Sequence, residues 1–232
     1  MGKVSGQGEL NFATGRHGGR RTGAGRPRIK DRRASERHQT RETFRASEPV
    51  HVVMRTVPQV GRLRKRDLHR AIRRASIVLG KHEDCRIVHA SIQANHIHAI
   101  VEAKHRTALA RGMQAFQISA AQRINRVVGR KGRVFADRYH ATVLRTPRQV
   151  RNCIGYVLNN WRHHREDRRV RWTMDPFSSA VSFAGWRERA GKAFVPPLPD
   201  GYRPLITWFP KTWLLSTGWR RHGLIGLTEV PG

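Results

Sequence analysis

Between residues 49 and 164 the chain switches repeatedly between two hydrophobic periods. PVHVVMRTV (49–57) is dense in β-branched residues, the composition of a strand. KRDLHRAIRRASIVLG (65–80) then spaces Leu68, Ile72, Ala75 and Leu79 at helical intervals, with Gly80 suited to the helix end. CRIVHASIQ (85–93) and HIHAIVEA (96–103) read as two further strands, with Ala94-Asn95 as a hairpin turn between them. ALARGMQAFQISAAQRINRVVG (108–129) predicts a long helix with Leu109, Met113, Phe116, Ala120, Ile124 and Val127 along one side. RVFADRYHATVL (133–144) alternates as a fourth strand. TPRQVRNCIGYVLNNWRHH (146–164) opens a third helix, with Thr146 placed as N-cap and Pro147 at the first helical position.

The first six elements follow the order β-α-β-β-α-β. That order predicts an α+β, ferredoxin-like (RRM-like) antiparallel sheet with helices on one face, to which the last helix is appended. The flanks differ in texture. Residues 1–48 are rich in Gly, Arg and Ser with almost no periodic apolar pattern, and read as a flexible basic arm. Within it GAGRPR (23–28) places Arg26 and Arg28 around Pro27. This is either an AT-hook-like minor-groove element or a non-specific phosphate-binding arm. Residues 181–232 form a basic, Trp-rich extension beyond the core of 49–180, with PPLP (196–199) as a linker. Trp213 and Trp219, beside Arg220, Arg221 and His222, fit docking of this tail on the domain, with base stacking as the alternative.

Charge narrows the class of partner. In 232 residues, 46 Lys+Arg stand against 16 Asp+Glu, a net charge of +30. The excess runs through the core as well as the arm, and self-repulsion on that scale calls for a polyanion, so the expected partner is nucleic acid. Two cysteines, Cys85 and Cys153, with no C-x-x-C pair, exclude a disulfide framework and a Cys-rich zinc site. No apolar run reaches transmembrane length and no apolar leader opens the chain, so the expected location is the cytoplasm, away from membranes.

The candidate chemistry begins at His96 and His98. Two residues apart in a strand, they share a face, which suits a metal site and equally suits a plain polar face. On the third helix Val150, Ile154, Val157, Leu158 and Trp161 make one apolar stripe, expected to face the sheet. Tyr156 projects roughly 140° from that stripe at ~100° per residue, where a core tyrosine has no reason to be. Asn160 lies one turn further along the same side.

These residues resemble the single-tyrosine HUH transposases, in the branch of REP-associated tyrosine transposases and related IS-element transposases. The family's His-hydrophobic-His motif is similar to His96-Ile97-His98 preceded by Asn95, and its Tyr-x-x-x-Asn/Gln pattern to Tyr156-Val-Leu-Asn-Asn160. DPFSSA (175–180) belongs to the same stretch, and Trp161 stands where members often have Pro. The resemblance implies a ferredoxin-like catalytic domain over 49–180. It also implies a divalent metal, Mg²⁺ or Mn²⁺, held by His96, His98 and Asn160, and attack by Tyr156 on single-stranded, hairpin-containing DNA by a monomer or homodimer. A free tyrosine has a pKa near ~10, so a Lewis acid that polarises the phosphate, an effect of roughly several kcal/mol, suits such a nucleophile. Tyr139 reads as a core residue, Glu102 as an edge carboxylate in solvent, and Arg148 and Arg151 as phosphate contacts. The alternative is a catalytically inactive nucleic-acid-binding protein of RRM-like fold, which would carry exposed aromatics on the central strands in place of the histidines.

Overall fold

The computed structural model describes residues 41–170, 172–190 and 199–230. Arg26, Arg28 and most of the PPLP stretch lie outside the described residues. The strands β1 (Val50–Arg55), β2 (Cys85–Ile92), β3 (His96–Ala103) and β4 (His140–Val143) form one antiparallel sheet in the order β2-β3-β1-β4. With α1 (Arg66–Ser76) and α2 (Arg106–Val128) between them, this is the ferredoxin-like arrangement that the element order predicts.

Period-two alternation gives the sheet two different faces. Val50, Val52 and Met54 of β1 and Ile97, Ala99 and Val101 of β3 enter one core with α1 and α2. Leu68, Ile72 and Ala75 are the α1 contribution, and Leu109, Met113, Phe116, Ala120 and Ile124 that of α2. Gly112 is required where α2 crosses β2, because a Cβ there would stand 2.4 Å from the Cys85 sulfur. Val127 leaves the predicted stripe and is 40% exposed. A glycine in the left-handed region, Gly129, ends α2.

Two elements are shorter than their patterns predict. The α1 helix stops at Ser76, not Gly80, and Ile77–Lys81 winds as a 3₁₀ turn that still buries Leu79. The β-branched pair Ile77-Val78 weakens the preference for α geometry there. The fourth strand covers only His140–Val143, because residues 133–139 are fastened irregularly. Val134 accepts from the Val57 N–H (2.8 Å), the Ala136 N–H donates to Arg55 (2.8 Å), and Asp137 caps the Arg138 N–H (2.8 Å).

The opposite sheet face is covered by α3 (Pro147–His163) and by the C-terminal part of the chain. Val88 and Ile100 pack there with Val150, Ile154, Val157 and Leu158 of α3 and with Phe183, Trp186, Leu214, Leu215, Trp219 and Ile225. A bulge in β2 between Ile87 and His89 brings Val88 into this second core. Trp219 is 2% exposed, so the tail docks as expected, while Trp213 stays 47% exposed with the Arg221 guanidinium 4.8 Å above its ring. At the other end, packing already includes Arg41–Glu48, on the arm side of the sequence boundary. Arg41 covers the Tyr139 ring at 3.7 Å, Phe44 meets the first core, and Glu42 and Glu48 pair with Arg145. Among the described residues no helix is long and apolar enough to cross a membrane.

Candidate active site

His96 and His98 lie on the α3-covered face of β3, at the exit of a two-residue turn. Asn95 is pinned in that turn by Thr56, whose N–H and hydroxyl both reach the Asn95 carbonyl (2.9 and 3.0 Å). The two Nε2 atoms face each other at 2.9 Å. Their outer nitrogens are also occupied: His96 Nδ1 meets Asn95 Oδ1 at 2.8 Å, and His98 Nδ1 meets His51 Nε2 at 3.1 Å. His51 lies on β1 opposite Ile100, one same-face step from His98, and the two rings stack at 5.2 Å and 18°. Burial, then the neighbouring histidines and Arg55, pushes His98 down to about 2. Burial, then His164 and Arg55, takes His96 to about 4, and burial, then His140, takes His51 to about 4. Burial therefore favours the neutral form of all three imidazoles near pH 7.

The helix α3 begins as the sequence predicts. Thr146 accepts from the Gln149 N–H (3.2 Å), Gln149 Oε1 accepts from the Thr146 N–H (3.2 Å), and Pro147 follows the cap. Its surroundings differ from expectation. The apolar stripe is shared between the sheet and the C-terminal tail, and part of the side expected to be polar and open is also covered: Asn159 and Asn160 are at most 2% exposed. Asn159 donates to the Gly226 and Glu229 carbonyls at 3.0 and 2.8 Å. Tyr156, off the stripe and half-buried, turns its ring edgewise to His98 at 5.2 Å and to His51 at 6.1 Å.

Asn160 is 1% exposed, and neither atom of its carboxamide has a hydrogen-bond partner among the described residues. Buried amides are almost always bonded, so an orphaned Oδ1 is a donor atom in want of a cation or hydrogen. One turn before it Tyr156 touches His98; one turn after it the His164 ring lies 5.9 Å from that of His96. Asn160 is thus bracketed by Tyr156 on the helix and His164 at its C-cap, the two residues that border the histidine pair. No group of three or more His, Cys, Asp or Glu among the described residues could hold a metal. Two imidazoles and a carboxamide oxygen without a partner among the described residues are donor types that suit a divalent ion.

Other expected site residues fall elsewhere. Tyr139 is 5% exposed in the first core, as its strand pattern predicts. Arg148 is exposed at the start of α3. Arg151 is not a free phosphate contact: it is held by Glu229, with one bond of 2.8 Å, and by the Leu224 carbonyl at 3.1 Å. Glu102 is not a solvated edge carboxylate either. It is 4% exposed and accepts the N–H groups of Lys211 (2.9 Å) and Thr212 (2.8 Å), which fastens the tail to β3. Asp175 of DPFSSA is fully buried against Arg64 (2.8 and 3.0 Å), and Ser179 Oγ accepts the Ala90 N–H (3.1 Å), so that motif stitches the chain after α3 to β2. The sequence pattern did not single out His51 and His164, although it carries a signal for each. His51 alternates with Val50 and Val52, and His164 follows Tyr156 and Asn160 at helical spacing.

Comparison with known proteins converges on one family. The model of a family described as "Transposase IS200 like" matches residues 46–160, about half of the chain, from before β1 to Asn160. The solved "Structure of the REP associates tyrosine transposase bound to a REP hairpin" superposes with a TM-score of 0.52 at 12% identity. It covers 76% of this chain and 100% of that one, a likeness of fold. No curated protein matches the sequence. With the family's sequence running from before β1 to Asn160 on a tyrosine-transposase fold, this chain belongs to the IS200-like transposases.

Proposed function

We propose that the protein is a divalent-metal-dependent transposase that cleaves and rejoins single-stranded DNA through Tyr156. The observation that carries this reading is the Tyr156 ring lodged against His98 at 5.2 Å, one turn before a buried carboxamide with no partner among the described residues. In the first step the Tyr156 oxygen bonds to the scissile phosphorus and releases its proton. The bond from phosphorus to the 3′-oxygen breaks, leaving a free 3′-hydroxyl and a 5′-phosphotyrosine. Attack by a DNA 3′-hydroxyl on that linkage reverses the step and joins a new partner. His96, His98 and Asn160 would hold Mg²⁺ or Mn²⁺, which supplies Lewis-acid polarisation of the phosphate. Exposed Arg148, with the general excess of positive charge, would supply phosphate contacts. The REP hairpin bound by the structural neighbour supports a hairpin-containing substrate here.

Incubation of the purified protein with single-stranded hairpin DNA and Mn²⁺ tests the reading directly. Mass spectrometry of the digested adduct is expected to place a nucleotide on the peptide containing Tyr156. The adduct is expected to vanish in Tyr156→Phe and in excess EDTA, and to persist in Tyr139→Phe. An undiminished adduct in Tyr156→Phe would overturn the nucleophile, and full activity in EDTA would overturn the metal. DNA binding with no adduct under any condition would favour an inactive binding protein.

A further inference from the structure

Trp213 and Trp219 of the tail meet opposite fates. Trp219 is buried in the second core, whereas Trp213 keeps 47% of its surface exposed. Phe209, just before it on the chain, is 92% exposed. Neither exposure comes from a loose backbone. The Trp208 N–H donates to the Ile87 carbonyl at 2.9 Å, and the Lys211 and Thr212 N–H groups donate to Glu102, so the chain is fastened on both sides of Phe209. The Trp213 indole rests against Gly218, where an added Cβ would stand 2.7 Å from the ring. Both aromatic side chains are therefore presented on fixed backbone, which lowers the entropy lost when a partner binds.

Charge selects that partner. Residues 201–228 hold four Lys/Arg and no Asp/Glu. Lys211, Arg220 and Arg221 are exposed, and among the described residues no carboxylate pairs with any of them. The Arg221 guanidinium lies over the Trp213 ring, 4.8 Å from its centre. Exposed aromatics among uncompensated cations suit a polyanion that also carries flat rings, which is the chemistry of unpaired nucleotides. A second copy of this chain would bring its own +30 charge to the patch and be repelled. Glu102, which anchors the segment, lies on β3 on the same face as His98, about 13 Å further along at the usual strand rise.

We propose that Phe209 and Trp213, with Lys211 and Arg221, form a second DNA-contact surface, on which bases of the unpaired strand flanking the cleavage site stack while the cations hold its phosphates. This deepens the function proposed above and rests only on its single-stranded substrate, not on the metal or the nucleophile. In the free protein Arg221 covers part of the indole. A base takes that place on binding, and the guanidinium turns to a phosphate.

Equilibrium binding of fluorescent oligonucleotides in EDTA tests the surface apart from the chemistry. Trp213→Ala is expected to bind a single strand about 5–150-fold more weakly, the range for loss of one stacked base. Trp213→Phe is expected to recover most of the affinity. An abasic strand, which has the phosphates without the bases, is expected to bind the wild type and Trp213→Ala equally. Arg221→Gln is expected to lower the slope of log affinity against log salt by about 0.7. In the wild type, a strand containing iodouracil is expected to crosslink to Phe209 or Trp213 under ultraviolet light. Unchanged affinity in Trp213→Ala, an equal loss on the abasic strand, or crosslinks confined to other residues would overturn the proposal. Self-association that Trp213→Ala abolishes, with DNA affinity intact, would assign the patch to a second copy instead. Failure to form a covalent adduct counts against the nucleophile and leaves these titrations untouched, whereas a wild-type protein that binds no single strand refutes both readings.

Discussion

His89 shows how burial of a single titratable residue becomes a property of the fold. It lies on β2 at 8% exposure, edge-on to Phe183, and burial lowers its pKa to about 4 from the ordinary 6.5. The unfolded chain therefore binds a proton between those two values that the folded chain refuses. The stabilisation is complete above about pH 6.5 and is lost progressively as the pH falls towards 4, on the order of 3 kcal/mol. Urea unfolding at pH 7.5 and 4.5 checks this. The acid loss is expected to be smaller by about 2–3 kcal/mol in His89→Leu, and an equal loss in both proteins would refute it. At this scale the sequence was informative where chemistry follows a short period. His96 and His98 share a face because strands alternate, and Tyr156 and Asn160 share a side because helices turn every 3.6 residues. The pairing of His98 with His51 was not readable, since it depends on the register of β1 against β3.

Among the elements, α3 depends most on partners remote in the chain. Its start is local: Thr146, Pro147 and Gln149 specify the cap within four residues. Its burial is not, because Trp219, Leu214 and Ile225 arrive from beyond residue 210 and are guided there by Glu102 on β3. Removing that carboxylate strands the Lys211 and Thr212 N–H groups and leaves Arg86, at 3.8 Å, without its counter-charge. Glu102→Ala is expected to cost about 3 kcal/mol and to make the tail the first site of limited proteolysis. Cleavage at the tail no faster than in the wild type would show that the apolar contacts hold it alone. The same long-range packing explains why Arg151, an ordinary exposed arginine by sequence, is committed to Glu229.

For the whole molecule, the dominant quantity is a net charge of +30. Residues 1–40 hold ten Lys/Arg and three Asp/Glu, a net +7. Deleting them is expected to leave the melting temperature unchanged and to weaken DNA binding with a shallower salt dependence. The slope should fall by about 0.7 for each single-strand phosphate that the arm had neutralised. A cut after residue 48 is expected to lower stability as well, because it removes Arg41 from the Tyr139 ring and both carboxylates from Arg145. Binding titrations across a salt series, with thermal melts of both truncations, distinguish the two. An unchanged salt slope after the shorter deletion would rule out the arm as a phosphate-binding segment.

By itself the sequence determined whatever depends on neighbours within about one turn or one strand. That covers the order and type of the seven elements, the cap of α3, the shared face of His96 and His98, and the family motif around Tyr156. Tertiary structure alone decided the partners brought in from a distance. Strand register placed His51 behind His98, and the returning tail took up Asn159, Arg151 and Glu102. The division has a physical origin. Backbone periodicity acts over a few residues and leaves a pattern in their order, whereas burial and ion pairing depend on which distant surfaces meet, and no local pattern records that.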